Sequence, residues 1–321
     1  MAQSGSFDFT VTRDQIIDLA HQYVGAVGEG LAASASQVTE ASLLLNMIVK
    51  LRAADGMPLW ALRRGYILPV TGVSVINTDS HIVTAYDTTT LSAAAASGAT
   101  SLTVTSITGF TNGDQIGIEL TNGDMDWTTI NGVPSGTTIV ITTALTSAAA
   151  SGKRIYGYTA SSQRIQKPLR ILNANILQVS DDISWEIAIL SKQDYFNLGN
   201  RTSEGTPTGI HYSLEPSSLT ALETNGQIFV YPRFPDGTRI IEFTYHRPFQ
   251  DWEAATENPD FPQAFHLPLM LELAAIIGPK FGLPMEERMS LFREAKMYRE
   301  EALETVVEEG SVKLQPDVRY G

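Results

Sequence analysis

The 321-residue chain has no cysteine, which removes disulfides, thiolate metal sites and thiol nucleophiles at once. It is also poor in cations: 22 lysines and arginines against 35 aspartates and glutamates leave a formal charge of −13. Affinity for a phosphate backbone comes mainly from cations that displace counterions, so the charge argues against simple nucleic-acid binding, and an acidic surface instead lets DNA pass without gripping it. No run of about 18 uninterrupted apolar residues occurs. The opening MAQSGSFDFTVTRDQ lacks a basic start followed by an apolar stretch, so a soluble chain with neither export signal nor membrane span is expected.

Catalytic patterns are missing too. Gly-x-Ser-x-Gly is absent, and His21, His81, His211 and His246 fall in unrelated segments with no nucleophile at motif spacing. In FPQAFHLPLMLELAAIIGPKFGLP, His266 and Glu272 are six residues apart, about 600° of helical rotation, which separates them onto different faces. A rim or capping role for His266 and an exposed or inter-subunit Glu272 are expected. TNGD occurs at Thr111 and Thr121, but a calcium loop begun at Asp124 puts Thr129 where the turn glycine belongs and Ser135 where the bidentate glutamate belongs; with Asp114 and Asp126, Asp124 is assigned to hairpin turns. GAVGEG, Gly25 to Gly30, follows a helix and lacks a Lys-Ser/Thr pair, so it is a helix end and loop rather than a phosphate cradle. The loop DWEAATENPD offers Asp251, Glu253, Glu257 and Asp260 as an acid and nucleophile for sugar cleavage, the alternative function, though solvated carboxylates are the default. The expectation is a chain that is not an enzyme, with no catalytic residue, no cofactor and no metal.

What is present is helix at both ends. Thr12-Arg-Asp-Gln15 and Ser34-Ala-Ser-Gln37 fit the capping box, predicting two helix starts. The first helix carries Ile16, Leu19, Ala20, Tyr23 and Val24; the second carries Val38, Ala41, Leu45 and Ile48, with Leu44 and Leu51 alongside. Towards the other end, Asp260 is placed to cap a helix with Phe265, Leu269, Leu273, Ile276 and Ile277 that is stopped or kinked at Gly278-Pro279. A fourth, from about Met285 to Val307, opens on Glu286 and Glu287, carries Met289, Phe292, Ala295, Ala302, Leu303 and Val306, and meets Gly310.

The middle alternates Val, Ile, Thr and Tyr with frequent turns, which favours antiparallel strands. Residues 86–160 are rich in Ala, Ser, Thr and Gly; the related phrases LSAAAASGATSLTV at Leu91 and LTSAAASGKRIYGY at Leu145 flank the strand-forming DQIGIEL, WTTI and TTIVITT. The fold expected is α+β: a four-helix bundle from amino-terminal and carboxy-terminal helix pairs, a central antiparallel β region and an inserted small all-β domain. The divisions expected are 1–85 (helices and first strands), 86–160 (insertion), 161–310 (β region and last helices) and 311–321 (tail). Trp185, Tyr195-Phe196, Tyr231, Phe234 and Tyr245-His246-Arg247-Pro248-Phe249 are assigned to core and subunit contact, because cations are too sparse beside them for base stacking. A carbohydrate-binding role for the insertion is the remaining alternative.

In combination, LNMIVKLRAADGMPLWALRRGYIL, KPLRILNANIL, SKQDYFNL and FTYHRPFQDWEAATENPDFPQAFHLPLMLELAAIIGPKFGLP, followed by a long acidic helix, resemble the head-to-tail adaptor proteins of short-tailed bacteriophages, of the tail tubular A and packaged-DNA-stabilisation types. The likeness covers roughly residues 12–85 and 161–310, by element order and phrase. It implies a structural virion protein at the head–tail interface, made in the host bacterial cytoplasm, forming a ring of about twelve copies. The ring would join the portal protein to the tail nozzle or tail fibre protein, with double-stranded DNA passing through its channel unbound. By the same analogy the tail docks on the portal, with Leu314, Val318 and Tyr320 as anchors.

Overall fold

The computed structural model describes residues 9–55, 61–165, 167–215 and 226–304. They divide into two compact units, one drawn from Met1–Ala61 and Phe249–Gly321, the other from Leu62–Pro248. The helices are α1 (Arg13–Tyr23), α2 (Ala35–Asp55), the short α3 (Ala160–Gln163) and α4 (Lys192–Phe196), α5 (His266–Ile277) and α6 (Met285–Glu304).

Both capping boxes form. At α1 the Thr12 hydroxyl accepts from the Gln15 N–H (3.4 Å) while Gln15 Oε1 accepts from the Thr12 N–H (2.9 Å); Ser34 and Gln37 repeat the exchange at 3.4 and 2.7 Å ahead of α2. Asp260 does not cap α5: its carboxylate accepts from the Gln250 N–H, and a 3-10 turn at Gln263–Phe265 leads into the helix instead. α5 stops before Gly278-Pro279, where a second 3-10 turn runs to Phe281 and Gly282 takes the left-handed conformation (φ +83°). The part of the fourth helix expected beyond Glu304, with Val306 and Gly310, lies outside the described residues.

Nine of the twelve residues of α5 are buried, because its apolar side chains run round the whole circumference. It is therefore a hub, packed on α1, α2 and α6. From Gln263 to Phe281 the segment is long and apolar enough to cross a bilayer, yet it is 61% buried, as a core helix is.

The second unit holds the strands β1 (Leu62–Ile67), β2 (Val75–Asn77), β3 (Ile82–Val83), β4 (Asp87–Thr90), β5 (Ser101–Thr103), β6 (Gln115–Glu119), β7 (Met125–Thr129), β8 (Thr138–Val140), β9 (Arg154–Tyr158), β10 (Arg170–Gln178), β11 (Ile183–Ile189), β12 (Gly209–Ser213), β13 (Gln227–Tyr231) and β14 (Arg239–His246). Eight of these make one sheet in the order β2-β13-β12-β11-β10-β14-β1-β3. Its two end strands, β2 and β3, are consecutive in sequence, and the link between them is bonded to both sides: Thr78 exchanges hydrogen bonds with Gly226 (3.0 and 2.9 Å), and the His81 carbonyl accepts from the Leu68 N–H (2.9 Å). The sheet is thereby drawn into a nearly closed barrel around Ile67, Ile176, Ile210, Ile228, Val230 and Phe243. All neighbours pair antiparallel except β11 and β12, which run parallel and meet only at Ala188↔Gly209 and Ile189↔Ile210.

Between β3 and β10 the chain builds a four-stranded sheet (β4-β9-β6-β7) and the pair β5-β8 over their own core, with Leu102, Val104, Ile116, Ile118, Ile139 and Ile155 fully or almost fully buried. The two Ala-Ser-Gly phrases lie side by side. Ala95 and Ala149 exchange backbone hydrogen bonds (2.8 and 2.9 Å), the Gly98 N–H reaches the Leu145 carbonyl (2.8 Å), and the Gly152 N–H reaches the Leu91 carbonyl (2.7 Å). This subdomain is seated on the barrel by a second apolar cluster that joins Met125, Tyr156 and Tyr158 to Leu68, Val83 and Ile240. Around it the Trp127 indole donates to the Pro69 carbonyl (3.0 Å) and the Tyr156 hydroxyl to the Gly237 carbonyl (2.6 Å).

The expectation of an α+β fold organised by a four-helix bundle is overturned. Among the described residues helix and strand are nearly equal, 28% and 29%, and the largest element is an eight-stranded barrel-like sheet beside six helices, not a four-helix bundle. The physical reason is twofold: α5, apolar all round, takes the centre of the helices rather than one wall of a bundle, and the middle strands close on themselves rather than forming an open layer.

Candidate assembly interface

The sequence-predicted anchors Leu314, Val318 and Tyr320 lie outside the described residues. His266 and Glu272 both belong to α5 and are not brought together. Glu272 is buried and accepts a bidentate pair of hydrogen bonds from the Arg52 guanidinium of α2, through Nε at 3.0 Å and through Nη2, so it is neither exposed nor offered to a neighbour. His266 is buried with its ring 6.5 Å from that of Phe9, and burial lowers its pKa from the ordinary value.

The acidic loop is wired for structure. Asp251 pairs with Lys50 at 2.7 Å, and the Glu257 carboxylate accepts from the backbone N–H groups of Ala254 (2.9 Å) and Glu253 (2.7 Å). Those two donors hold the Glu257 carboxyl below the usual range, the opposite of the raised pKa that a glycosidic general acid needs. The TNGD carboxylates are similarly occupied. Asp114, buried, accepts from Thr111 N–H (2.6 Å) and the hydroxyls of Thr111 (3.0 Å) and Thr159 (2.8 Å); Asp124 accepts from Asn122 (2.6 Å); Asp126 accepts from Thr146. In the inserted subdomain Phe110, Tyr156 and Tyr158 are buried, and the half-buried Trp127 lies against His81 with ring centroids 4.1 Å apart and planes tilted by 35°. A sugar-stacking platform needs an exposed ring, and among the described residues 86–160 offers none.

His81 is the group whose environment sequence reasoning missed. It adopts a positive φ of 54°, lies against Trp127 and Tyr158, and has its pKa lowered to about 4, first by burial and then by the nearby Arg164 charge. It carries no charge at neutral pH. His211, whose Nδ1 meets the Leu190 carbonyl at 3.0 Å, stacks on Tyr195 and belongs to packing.

What the helices do leave open is apolar surface. α2 buries Ala41, Leu45, Ile48 and Val49, while its opposite side presents Leu43, Met47 and Leu51 at 58%, 57% and 58% exposure, one helical turn apart. α6 likewise shows Met285, Met289 and Met297, and α1 shows Leu19 and Tyr23. Large side chains exposed in register along a helix are unlike the scattered apolar residues of ordinary surfaces. The charges of α6 are partly tied down: Arg288 donates to the Ala275 carbonyl (3.2 Å) with its guanidinium over the Phe292 ring, and Lys296 lies 3.7 Å from Glu300. The α2 stripe was visible in the sequence only as an excess, since Leu43 and Met47 could not join Ala41, Leu45 and Ile48 on one face. No protein-family model and no curated protein matches the chain.

Proposed function

We propose that this chain is a structural subunit that assembles side by side with copies of itself into a ring, in the manner of the head-to-tail adaptors that its sequence resembles. The ring, of about twelve copies by that resemblance, joins a portal protein to the tail nozzle or fibres and extends the path for DNA. The observation that carries this reading is the two-faced α2, which buries one apolar stripe within its own unit and leaves Leu43, Met47 and Leu51 for a neighbour. A second, different stripe on α6 supplies what a head-to-tail contact requires, because unlike patches on one subunit propagate around a closed ring, whereas a single self-complementary patch stops at a dimer. The formal charge of −13 supports a bore through which DNA slides, since like charges repel over about 10 Å at ordinary salt.

The test is light scattering and electron microscopy of the purified chain, alone and mixed with the portal protein encoded in the same genome. Expected are monomers or weak oligomers alone and rings on the portal, and Leu43→Lys with Met47→Lys should abolish the rings while leaving the circular dichroism spectrum intact. Only unassociated species in the mixture would overturn the reading.

A further inference from the structure

The barrel wall is incomplete at β11. That strand pairs with β10 through Ile183–Ile187, but its contact with β12 begins only at Ala188. The Ala188 N–H donates to the Thr208 carbonyl (2.9 Å) and the Leu190 N–H to the Ile210 carbonyl (2.7 Å), so even-numbered residues turn their backbone groups towards the β12 side. Alternation aims the N–H and C=O of Ser184 and Glu186 the same way, where no backbone partner meets them among the described residues. The stretch ahead of β12 is diverted: Gly205 and Ser203 bond to Arg233 instead (3.0 and 2.9 Å).

The two faces of this open edge differ. Trp185 stands opposite Ile176, and Ile187 opposite Ala174, so the odd residues share the face of the barrel core; Ile187 is buried there, while Ile183 and Trp185 remain exposed. Ser184 and Glu186 occupy the other face, the turn before them carries Asp181 and Asp182, and no cation lies between Arg170 and Lys192. An extended segment fitting this edge would alternate apolar residues with cations.

We propose that the edge accepts the carboxy-terminal segment, residues 311–321, of a second copy as an added strand. That segment reads SVKLQPDVRYG, and both Val312-Lys313-Leu314 and Val318-Arg319-Tyr320 set a cation between two apolar residues. Paired to β11, such a triplet lays its apolar side chains beside Ile183 and Trp185 and its cation opposite Ser184, on the face that Glu186 shares, while the added backbone meets the outward groups of Ser184 and Glu186. The inference rests on the reading that copies assemble side by side, and it gives Leu314, Val318 and Tyr320 a surface on a neighbour.

A fluorescent Ser311–Gly321 peptide titrated into the full-length protein tests the contact. Saturable binding is expected, and N-methylation at Val312 and Leu314, or at Lys313 and Gln315, should abolish it in one series only, because one alternate set of N–H groups faces β11. Glu186→Pro, which removes an outward N–H and spares the β10 ladder, should weaken binding about tenfold. Glu186→Lys should weaken it about threefold. No saturable binding, or equal tolerance of both methylated series, overturns the proposal. The cysteine-free chain allows the occupant to be identified: under oxidation, Ser184→Cys or Glu186→Cys combined with Lys313→Cys should give disulfide-linked oligomers. A purely intramolecular bond, or none, overturns occupancy by a second copy, and peptide binding displaced by portal protein points to the portal instead. Rings on the portal without any of these signals would leave the assembly reading standing and sink this one alone.

Discussion

Lowering the pH from 7 to 5 should weaken the β unit through His81. The imidazole titrates near 4 in the folded chain, against an ordinary value of 6.5, because burial beside Trp127 and the Arg164 charge both disfavour the cation. The folded pKa is depressed, so the unfolded chain binds the proton first as pH falls. Stability is complete above about 6.5, is lost progressively below it, and stops falling on this account near 4. At about 1.4 kcal/mol per unit, the loss is about 2 kcal/mol at pH 5 and about 3 kcal/mol at pH 4. The assay is urea unfolding followed by tryptophan emission, to which Trp127, whose ring the imidazole touches, contributes with three other tryptophans, at pH 7, 6 and 5. His81→Asn is the control, since asparagine tolerates the positive φ and does not titrate. The parent should lose about 2 kcal/mol more than the variant between pH 7 and 5. Equal losses in the two proteins would refute the reasoning, because carboxylate titration is common to both.

Two other changes follow from the packing. Arg52→Ala leaves Glu272 buried without its partner and should cost about 3–5 kcal/mol, whereas Arg52→Met with Glu272→Leu should recover most of that; thermal unfolding of the three proteins checks the order. Gly117→Ala would set a Cβ 2.6 Å from the Trp127 ring, so a loss of about 1–3 kcal/mol is expected together with a shift in tryptophan emission.

The parts of this fold legible in the sequence are those decided locally. Thr12 with Gln15 and Ser34 with Gln37 announced their helices because a capping box is complete within four residues. The Asn-Gly turns were legible for the same reason: Gly113 and Gly123 take the positive φ they require. Closure of the barrel was not legible, since it depends on β2 and β3 pairing with strands about 150 and 15 residues distant, and register is fixed by the hydrophobic faces of both partners together. Asp260 was misread because a carboxylate close ahead of an apolar run resembles a cap, yet Pro262 and a 3-10 turn intervene. Of the candidate interface, Leu51 was set only alongside the stripe of Val38, Ala41, Leu45 and Ile48, and only the packing around α5 shows which apolar residues of α2 had no room inside.

The inserted subdomain leaves the barrel and returns to it through adjacent strands: Asp87 pairs with Gly157, and just outside them Val83 bridges to Arg164. A cassette whose two ends meet can be exchanged for another, or lost, without moving the strands that hold it, since those are already joined to one another. Its removal would still uncover Leu68, Val83 and Ile240, which Tyr156 and Tyr158 now shield. Any replacement must therefore bring its own oily sole to stand on, so the barrel dictates the underside of whatever it carries and leaves the upper surface free to vary.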